Sequence, residues 1–352
     1  MIPDLAGALG LHRVVHLPGE PAGALPQAAL RLEPDPSLRH PHEIHIAVET
    51  LNVDSASMRQ IAEEQGGDAA RVGARIAEIV RERGKMQNPV TGSGGMLLGR
   101  VTWIGVEAGA TARRCGVAVG DRVATLVSLT LTPLHLENVK AVRLDTHQLD
   151  VEGTAVLFSS GTLAKMPDDL PERLALGLFD VAGAAPQVAR LVRPADHVAI
   201  LGAGGKSGLL CAAAARRAGA SRVVGVESYA PAAEAARRLG YCDVVLEADA
   251  ARPAVCAAAA LGPVPDGFDL VVSCVNAEGA EMAAILITRP RGRIYFFSMA
   301  TSFSRAALGA EGVARDIDML VGNGYCEGHA EATLALVRQE PLLLEELRRR
   351  LG

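Results

Sequence analysis

The chain has 352 residues, 49% of them hydrophobic, with 35 Lys and Arg against 40 Asp and Glu and a formal net charge of -5. That length and apolar content can bury two sizeable cores, so two domains are expected, and the slight acidity argues against nucleic acid or an anionic membrane as partner. No basic leader with an apolar core opens the sequence, and no apolar run reaches roughly 18 residues, so a cytoplasmic protein without a membrane span is expected.

Residues 1 to about 42 are rich in Pro and Gly and read as an irregular arm with short strands. Glu43-Ile-His-Ile-Ala-Val-Glu49 alternates like a half-buried strand, and Thr50-Leu-Asn52-Val-Asp54-Ser55 follows as a loop. A polar helical stretch then runs from Met58 to Arg83, with Ile61, Val72, Ile76, Ile79 and Val80 as its sparse apolar face. In the next segment, Asn88-Pro-Val-Thr91-Gly92-Ser93-Gly94-Gly95, three glycines in four residues make either a backbone surface open to close approach or a hairpin turn. With the Gly turns and short strands that follow, residues 42–160 describe a small, mostly β domain.

From about Leu174, long Ala/Leu/Val helices alternate with short β-branched strands, expected over 197–201, 222–227, 244–246, 268–274, 293–298 and 317–321. This pattern predicts an α/β fold with a doubly wound, six-stranded parallel sheet. The domain boundary is placed at 172/173, and the helices from about residue 330 are open to packing back on the first domain.

The second domain starts with an apolar strand that runs into Gly202-Ala-Gly204-Gly205-Lys206-Ser207-Gly208 and then into an Ala-rich helix. A tight turn, backbone N–H groups and a helix N-terminus are what hold a dinucleotide pyrophosphate. The spacing, G-x-G-x-x-x-G, is one residue longer than the usual fingerprint, and a Gly-rich turn that only packs helix on strand is the competing reading. A P-loop does not fit, because its first glycine would fall at Ile200, inside the strand. Glu227 ends the next strand about 20 residues after the last loop glycine, within reach of the adenosine ribose. It favours NAD, with Ser228 beside it, while Arg222 and the Arg237-Arg238 pair leave NADP open. Loops at the carboxyl ends of later strands, Cys274-Val275-Asn276 and Phe297-Ser298-Met299, are expected beside the nicotinamide half.

Six cysteines are scattered without a C-x-x-C pair and read as reduced, buried small residues. The order of these features, a β domain with L-N-x-D, then V-G-D-R-V, then the glycine loop, resembles the medium-chain dehydrogenase/reductase superfamily, with a GroES-like domain ahead of a Rossmann domain. Its zinc branch does not fit. The loop near Asp54 has no Cys, the segment around Gly94 has no His, and only Cys115 lies between Met96 and Thr130, so no metal is expected.

More narrowly, Asn88-Pro-Val-Thr-Gly-Ser-Gly-Gly-Met-Leu-Leu-Gly99 and Val127-Ser-Leu-Thr-Leu-Thr-Pro-Leu-His135-Leu resemble the L-erythro-3,5-diaminohexanoate dehydrogenase family of lysine fermentation. That resemblance implies a diamino acid substrate, oxidation of its 3-amine to an imine, and hydrolysis to 5-amino-3-oxohexanoate and ammonia. A zinc-free quinone or enoyl reductase of the same superfamily is the alternative, and a catalytically silent nucleotide-binding protein is a third reading. A homodimer joined through the last sheet strand is expected by analogy.

Amine oxidation without a metal needs side chains for proton transfer and for the substrate's charges. Asp180, the sole charge in a long apolar run near the domain boundary, is either a partner for a substrate ammonium or a structural carboxylate. Asp54 lies in the loop that supplies catalytic groups in the zinc branch, or else caps the following helix. Lys85 either adds charge for the substrate carboxylate or is a further candidate base. Thr91 and Ser93 could receive the substrate carboxylate, and His135 either assists there or packs among leucines.

Overall fold

The computed structural model describes residues 4–19, 23–298, 300–322 and 324–351, which form two compact units, Met1–Asp180 and Val181–Gly352. The division falls after the expected 172/173 boundary, because the helix that begins at Glu172 belongs to the first unit. Met299, named above beside the nicotinamide half, lies outside the described residues. Among the described residues no helix is long and apolar enough to cross a membrane.

The first unit opens with α1 (Leu5–Ala8) and an arm that bridges back on itself at Val14 and Leu32. It continues through β1 (Glu43–Val53), α2 (Ser55–Glu64), α3 (Ala69–Arg83), β2 (Gly95–Ile104), α4 (Gly109–Arg114), β3 (Arg122–Thr125), β4 (Leu134–Arg143), β5 (Gln148–Phe158), β6 (Leu163–Lys165) and α5 (Glu172–Phe179). Its sheet is antiparallel, in the order β4-β5-β1-β2-β3-β6, with the 11-residue β1 between β5 and β2. The polar helical stretch is two helices. Gly66 and Gly67 take left-handed backbone (φ 63 and 75) that ends α2, and Asp68 then caps α3 by accepting from Ala70 N and Arg71 N.

The arm is held to β1 by a buried ion pair. Glu43, fully buried, accepts from Arg13 Nε at 2.7 Å and Nη2 at 2.9 Å, from His12 Nε2 at 2.8 Å and from His45 Nε2 at 2.9 Å. Arg13, also fully buried, spends its remaining donors on the carbonyls of Glu33, Asp35 and Leu38. These donors outweigh burial and hold the Glu43 carboxyl far below the usual carboxylate range.

The second unit runs α6 (Ala184–Leu191), β7 (His197–Leu201), α7 (Lys206–Arg217), β8 (Arg222–Glu227), α8 (Ala230–Leu239), β9 (Val244–Glu247), α9 (Pro253–Leu261), β10 (Phe268–Ser273), α10 (Glu281–Ile287), β11 (Thr288–Phe296), α11 (Phe303–Gly312), β12 (Asp318–Val321), α12 (His329–Gln339) and α13 (Pro341–Leu351). The sheet is parallel, in the order β12-β11-β10-β7-β8-β9, as the alternation predicts. Val198 to Leu201 are fully buried, which is why β7 reads as a continuous apolar run. The chain lays down β7, β8 and β9 outward on one side, then returns to add β10 on the other side of β7. The carboxyl ends of β7 and β10 are therefore the topological switch point, where open α/β sheets bind ligands. The C-terminal helices α12 and α13 pack on α6, α7 and α8 of this same unit.

Candidate functional site

In the second unit the loop after β7 is built at that switch point. Gly202 turns with φ 76, and its amide donates to Val226 O at 2.8 Å. A Cβ on Gly204 would lie 2.4 Å from Ala232 O, so only glycine lets the loop approach α8 this closely. Gly205 is the N-cap of the 12-residue α7 and offers no capping side chain, which leaves the positive end of the helix for an anion. Lys206, Ser207 and Gly208 form its first turn.

Glu227 holds the loop from the β8 side. Its Oε2 accepts from Gly204 N at 3.0 Å, and its Oε1 accepts from Ser228 N and Tyr229 N at 2.9 and 3.1 Å. A carboxylate has about four acceptor positions, so about one is left for a ribose hydroxyl. The remaining cofactor candidates follow from the same sheet edge. Cys274 N donates to Leu201 O at 2.9 Å, and Phe297 N and Ser298 N donate to Ser273 O at 3.0 and 3.3 Å, while Val275 and Asn276 continue the β10 loop. The residues present fit a dinucleotide.

One loop contact has no sequence signal. Arg350 of α13 donates to Gly204 O at 2.6 Å and is itself held by Glu346 Oε1 at 2.6 Å. Glu346, 4% exposed, also binds Arg238 and Arg349. Burial alone would raise its carboxyl, but hydrogen bonds from Arg349 and Arg350 outweigh that and hold it at about 2. A depressed carboxyl contributes stability that is complete above the ordinary value of 4.5 and is lost as pH falls toward 2. Glu346→Gln should therefore melt below the unchanged protein near neutral pH, with the gap narrowing from about pH 5 to about pH 3. A gap constant across that range in thermal scans would contradict the linkage.

In the first unit the candidates gather at the start of α2. Asp54 caps the helix with Oδ1, accepting from Ala56 N at 3.1 Å and Ser57 N at 3.0 Å, and its Oδ2 accepts from Ser93 Oγ at 2.7 Å. Three hydroxyls close a ring on that contact. Ser57 Oγ lies 2.6 Å from Thr91 Oγ1 and 2.9 Å from Ser93 Oγ, and Thr91 Oγ1 lies 2.9 Å from Ser93 Oγ. Asn88 shapes the loop, accepting with Oδ1 from Val90 N at 2.8 Å while its backbone carbonyl accepts from Gly92 N at 2.8 Å. Its Nδ2 donates to Gln60 Oε1 on α2 at 2.8 Å. Ser57 is buried, Ser93 half-buried and Thr91 exposed, so a chain of hydroxyls leads from the surface to a carboxylate. By hydroxyl rotation such a chain can pass a proton to Asp54, itself half-buried.

The family model described as the L-erythro-3,5-diaminohexanoate dehydrogenase N-terminal domain matches residues 12–167, and one described as zinc-binding dehydrogenase matches residues 208–314. The L-erythro-3,5-diaminohexanoate dehydrogenase of Acetoanaerobium sticklandii is 47% identical over 337 residues, 95% of this chain and 96% of that one. The chain belongs to the L-erythro-3,5-diaminohexanoate dehydrogenase family. The Fusobacterium nucleatum enzyme of the same name is also 47% identical, over 96% of each chain. Among solved structures, a mycobacterial protein complexed with NADPH superposes with a TM-score of 0.57 at 17% identity, covering 89% of this chain and 90% of that one, which bears on the fold alone.

Three candidates in this family member are placed otherwise than the sequence suggests. Lys85 is fully buried and donates from Nζ to Pro26 O at 2.7 Å and Gln27 O at 3.4 Å, so its ammonium anchors the N-terminal arm. His135 lines a cavity of about 840 Å³ beside α3, with Leu134, Leu136, Arg71, Arg75 and Glu78, whose described walls do not include Asp54, Thr91 or Ser93. Asp180 is exposed at the C-terminal end of α5, whose residues Leu174–Phe179 are buried. Six consecutive residues of the helix are buried and the acid is the exposed C-cap that follows them, so the cost of burying a carboxylate, which pointed to Asp180, does not arise.

Among the described residues, His12, His40 and Glu43 form the group whose possible metal-ligating atoms lie within 4.8 Å of one another. Both Glu43 oxygens there are already engaged by Arg13. The zinc-dehydrogenase match covers residues of the nucleotide unit alone.

Proposed function

We propose that this chain oxidises L-erythro-3,5-diaminohexanoate at C3 and releases ammonia and 5-amino-3-oxohexanoate, the step that places it in lysine fermentation. The observation that carries this is the 47% identity along 95% of the chain to a dehydrogenase named for that substrate. A nicotinamide dinucleotide held at the Gly202–Gly208 loop supplies the acceptor for the C3 hydrogen with its electron pair.

The substrate amine must be neutral before its carbon can give up hydride, and water must lose a proton to hydrolyse the resulting iminium. The hydroxyl ring of Ser57, Thr91 and Ser93 takes those protons and Asp54 receives them. Gly204, Gly205 and the first turn of α7 bind the pyrophosphate, Glu227 the ribose and Arg350 the loop itself. No metal takes part. An assay of NAD reduction with the diamino acid, run with a chelator present, tests the reading. Absence of diamino-acid-dependent reduction, or its loss on chelation, would contradict it.

The preferred cofactor is NAD, because a 2′-phosphate would meet the Glu227 carboxylate. Glu227→Ala should raise the NAD KM by about tenfold to 100-fold, since one charged hydrogen-bonding group of about 1.5–3 kcal/mol is lost, and should relax discrimination against NADP. Tighter NADP binding by the unchanged protein would overturn this assignment.

The soluble form is a homodimer. Among the described residues β12 is an edge strand paired with β11 alone, and its Val321 is 66% exposed, which suits pairing with a second copy; a monomeric mass in light scattering would refute it. Six free cysteines suit the cytoplasm, where thiols stay reduced.

A further inference from the structure

Cys211 lies on the second turn of α7, fully buried, and Cys274 is the first residue after β10, partly exposed, with their Sγ atoms 3.9 Å apart. Among the described residues this is the contact in which two thiols meet. The glycine loop starts beside the Cys274 backbone and leads into α7, which carries Cys211. Cys274 N donates to Leu201 O at 2.9 Å, and a Cβ on Gly202 would lie 3.2 Å from the Cys274 carbonyl. We propose that Cys274 and Cys211 form an oxidation-sensitive dithiol at the foot of the glycine loop, which a peroxide converts to a disulfide.

The two thiols divide the work by exposure. The Cys274 thiol beside it and complete burial both push the Cys211 thiol up, so Cys211 is not the group that meets oxidant first. Cys274 attacks one peroxide oxygen, the O–O bond breaks, and a sulfenic acid and water form. Cys211 then attacks the Cys274 sulfur, the S–O bond breaks, and the disulfide and a second water leave the two sulfurs oxidised by one electron each. A disulfide is about 2.05 Å long, so the sulfurs must close by about 1.9 Å, roughly 1 Å each. The cross-link ties α7 to the end of β10 across the loop they frame. Its effect on nucleotide binding rests on the function proposed above; its formation does not.

The test treats the full chain with hydrogen peroxide, alkylates the remaining thiols and maps peptides by mass spectrometry. A linked Cys211–Cys274 peptide, reversed by dithiothreitol, is expected, and NAD present during oxidation should slow its formation. The oxidised protein should bind NAD at least about tenfold more weakly, within the scale on which displacements of about 1 Å act at a positioned site. Cys211→Ala should bind NAD normally and give no linked peptide, with Cys274 carried on to higher oxides. Cys274 oxidised in the unchanged protein without linkage to Cys211, or both thiols intact once Cys115 is oxidised, would overturn the proposal. Should the linked peptide form in a protein that binds NAD neither before nor after, the nucleotide reading fails and the dithiol stands.

Discussion

Asp54→Asn should lower turnover of the diamino acid by about 100-fold or more, the range of general acid–base catalysis, while leaving thermal stability nearly unchanged. The two carboxylate oxygens have separate tasks, and this substitution removes one of them. Oδ1 caps α2, and asparagine caps about as well as aspartate. Oδ2 accepts from Ser93 Oγ, and an amide nitrogen in its place is a donor that can neither accept that hydrogen bond nor take up a proton. NAD affinity should be unaffected, because the loop proposed to bind it belongs to the other unit. Steady-state kinetics and a melting curve on the same preparation decide the matter. Unchanged kcat would reduce Asp54 to a helix cap.

Glu43→Gln should destabilise the protein by about 3–5 kcal/mol, the usual loss when one partner of a buried ion pair is removed. The amide fits the space but leaves the guanidinium of Arg13, fully buried and bonded otherwise to three backbone carbonyls, without a counter-charge. The cost comes from that orphaned charge. Combining Arg13→Met with Glu43→Gln should therefore recover part of the loss, since the uncompensated charge is gone while the amide oxygen still accepts a hydrogen bond from the His12 and His45 side. Denaturant titration of the single and double variants checks this, and equal losses in both would contradict it.

The nucleotide unit was the more legible half because its signals are local. Buried parallel strands such as Val198–Leu201 are continuous apolar runs, and the glycine loop and Glu227 lie within one β-α-β stretch. Even there β11 begins at Thr288 instead of 293, since Pro290 and Gly292 read as a turn while the strand tolerates them at a pairing irregularity. In the first unit the hydroxyl ring joins Ser57 to partners 34 and 36 residues away, and no pattern marks it. Thr91 and Ser93 stand out in the sequence through their glycines, and Ser57 carries no such mark. Arg350 is 146 residues from Gly204 and reads only as one of several arginines in an amphipathic helix. The burial inferred for Asp180 misleads for the opposite reason, because a run of apolar neighbours does not fix the burial of the cap residue at which their helix ends.

The most direct test of the central claim measures ammonia and reduced cofactor together, with L-erythro-3,5-diaminohexanoate and NAD as the only substrates. Oxidation at C3 followed by hydrolysis predicts one ammonia released for each NADH formed, with 5-amino-3-oxohexanoate as the carbon product. NADH without ammonia would place the oxidation at a carbon that bears no amine, and absence of both would contradict the assignment of this chain as an amine dehydrogenase.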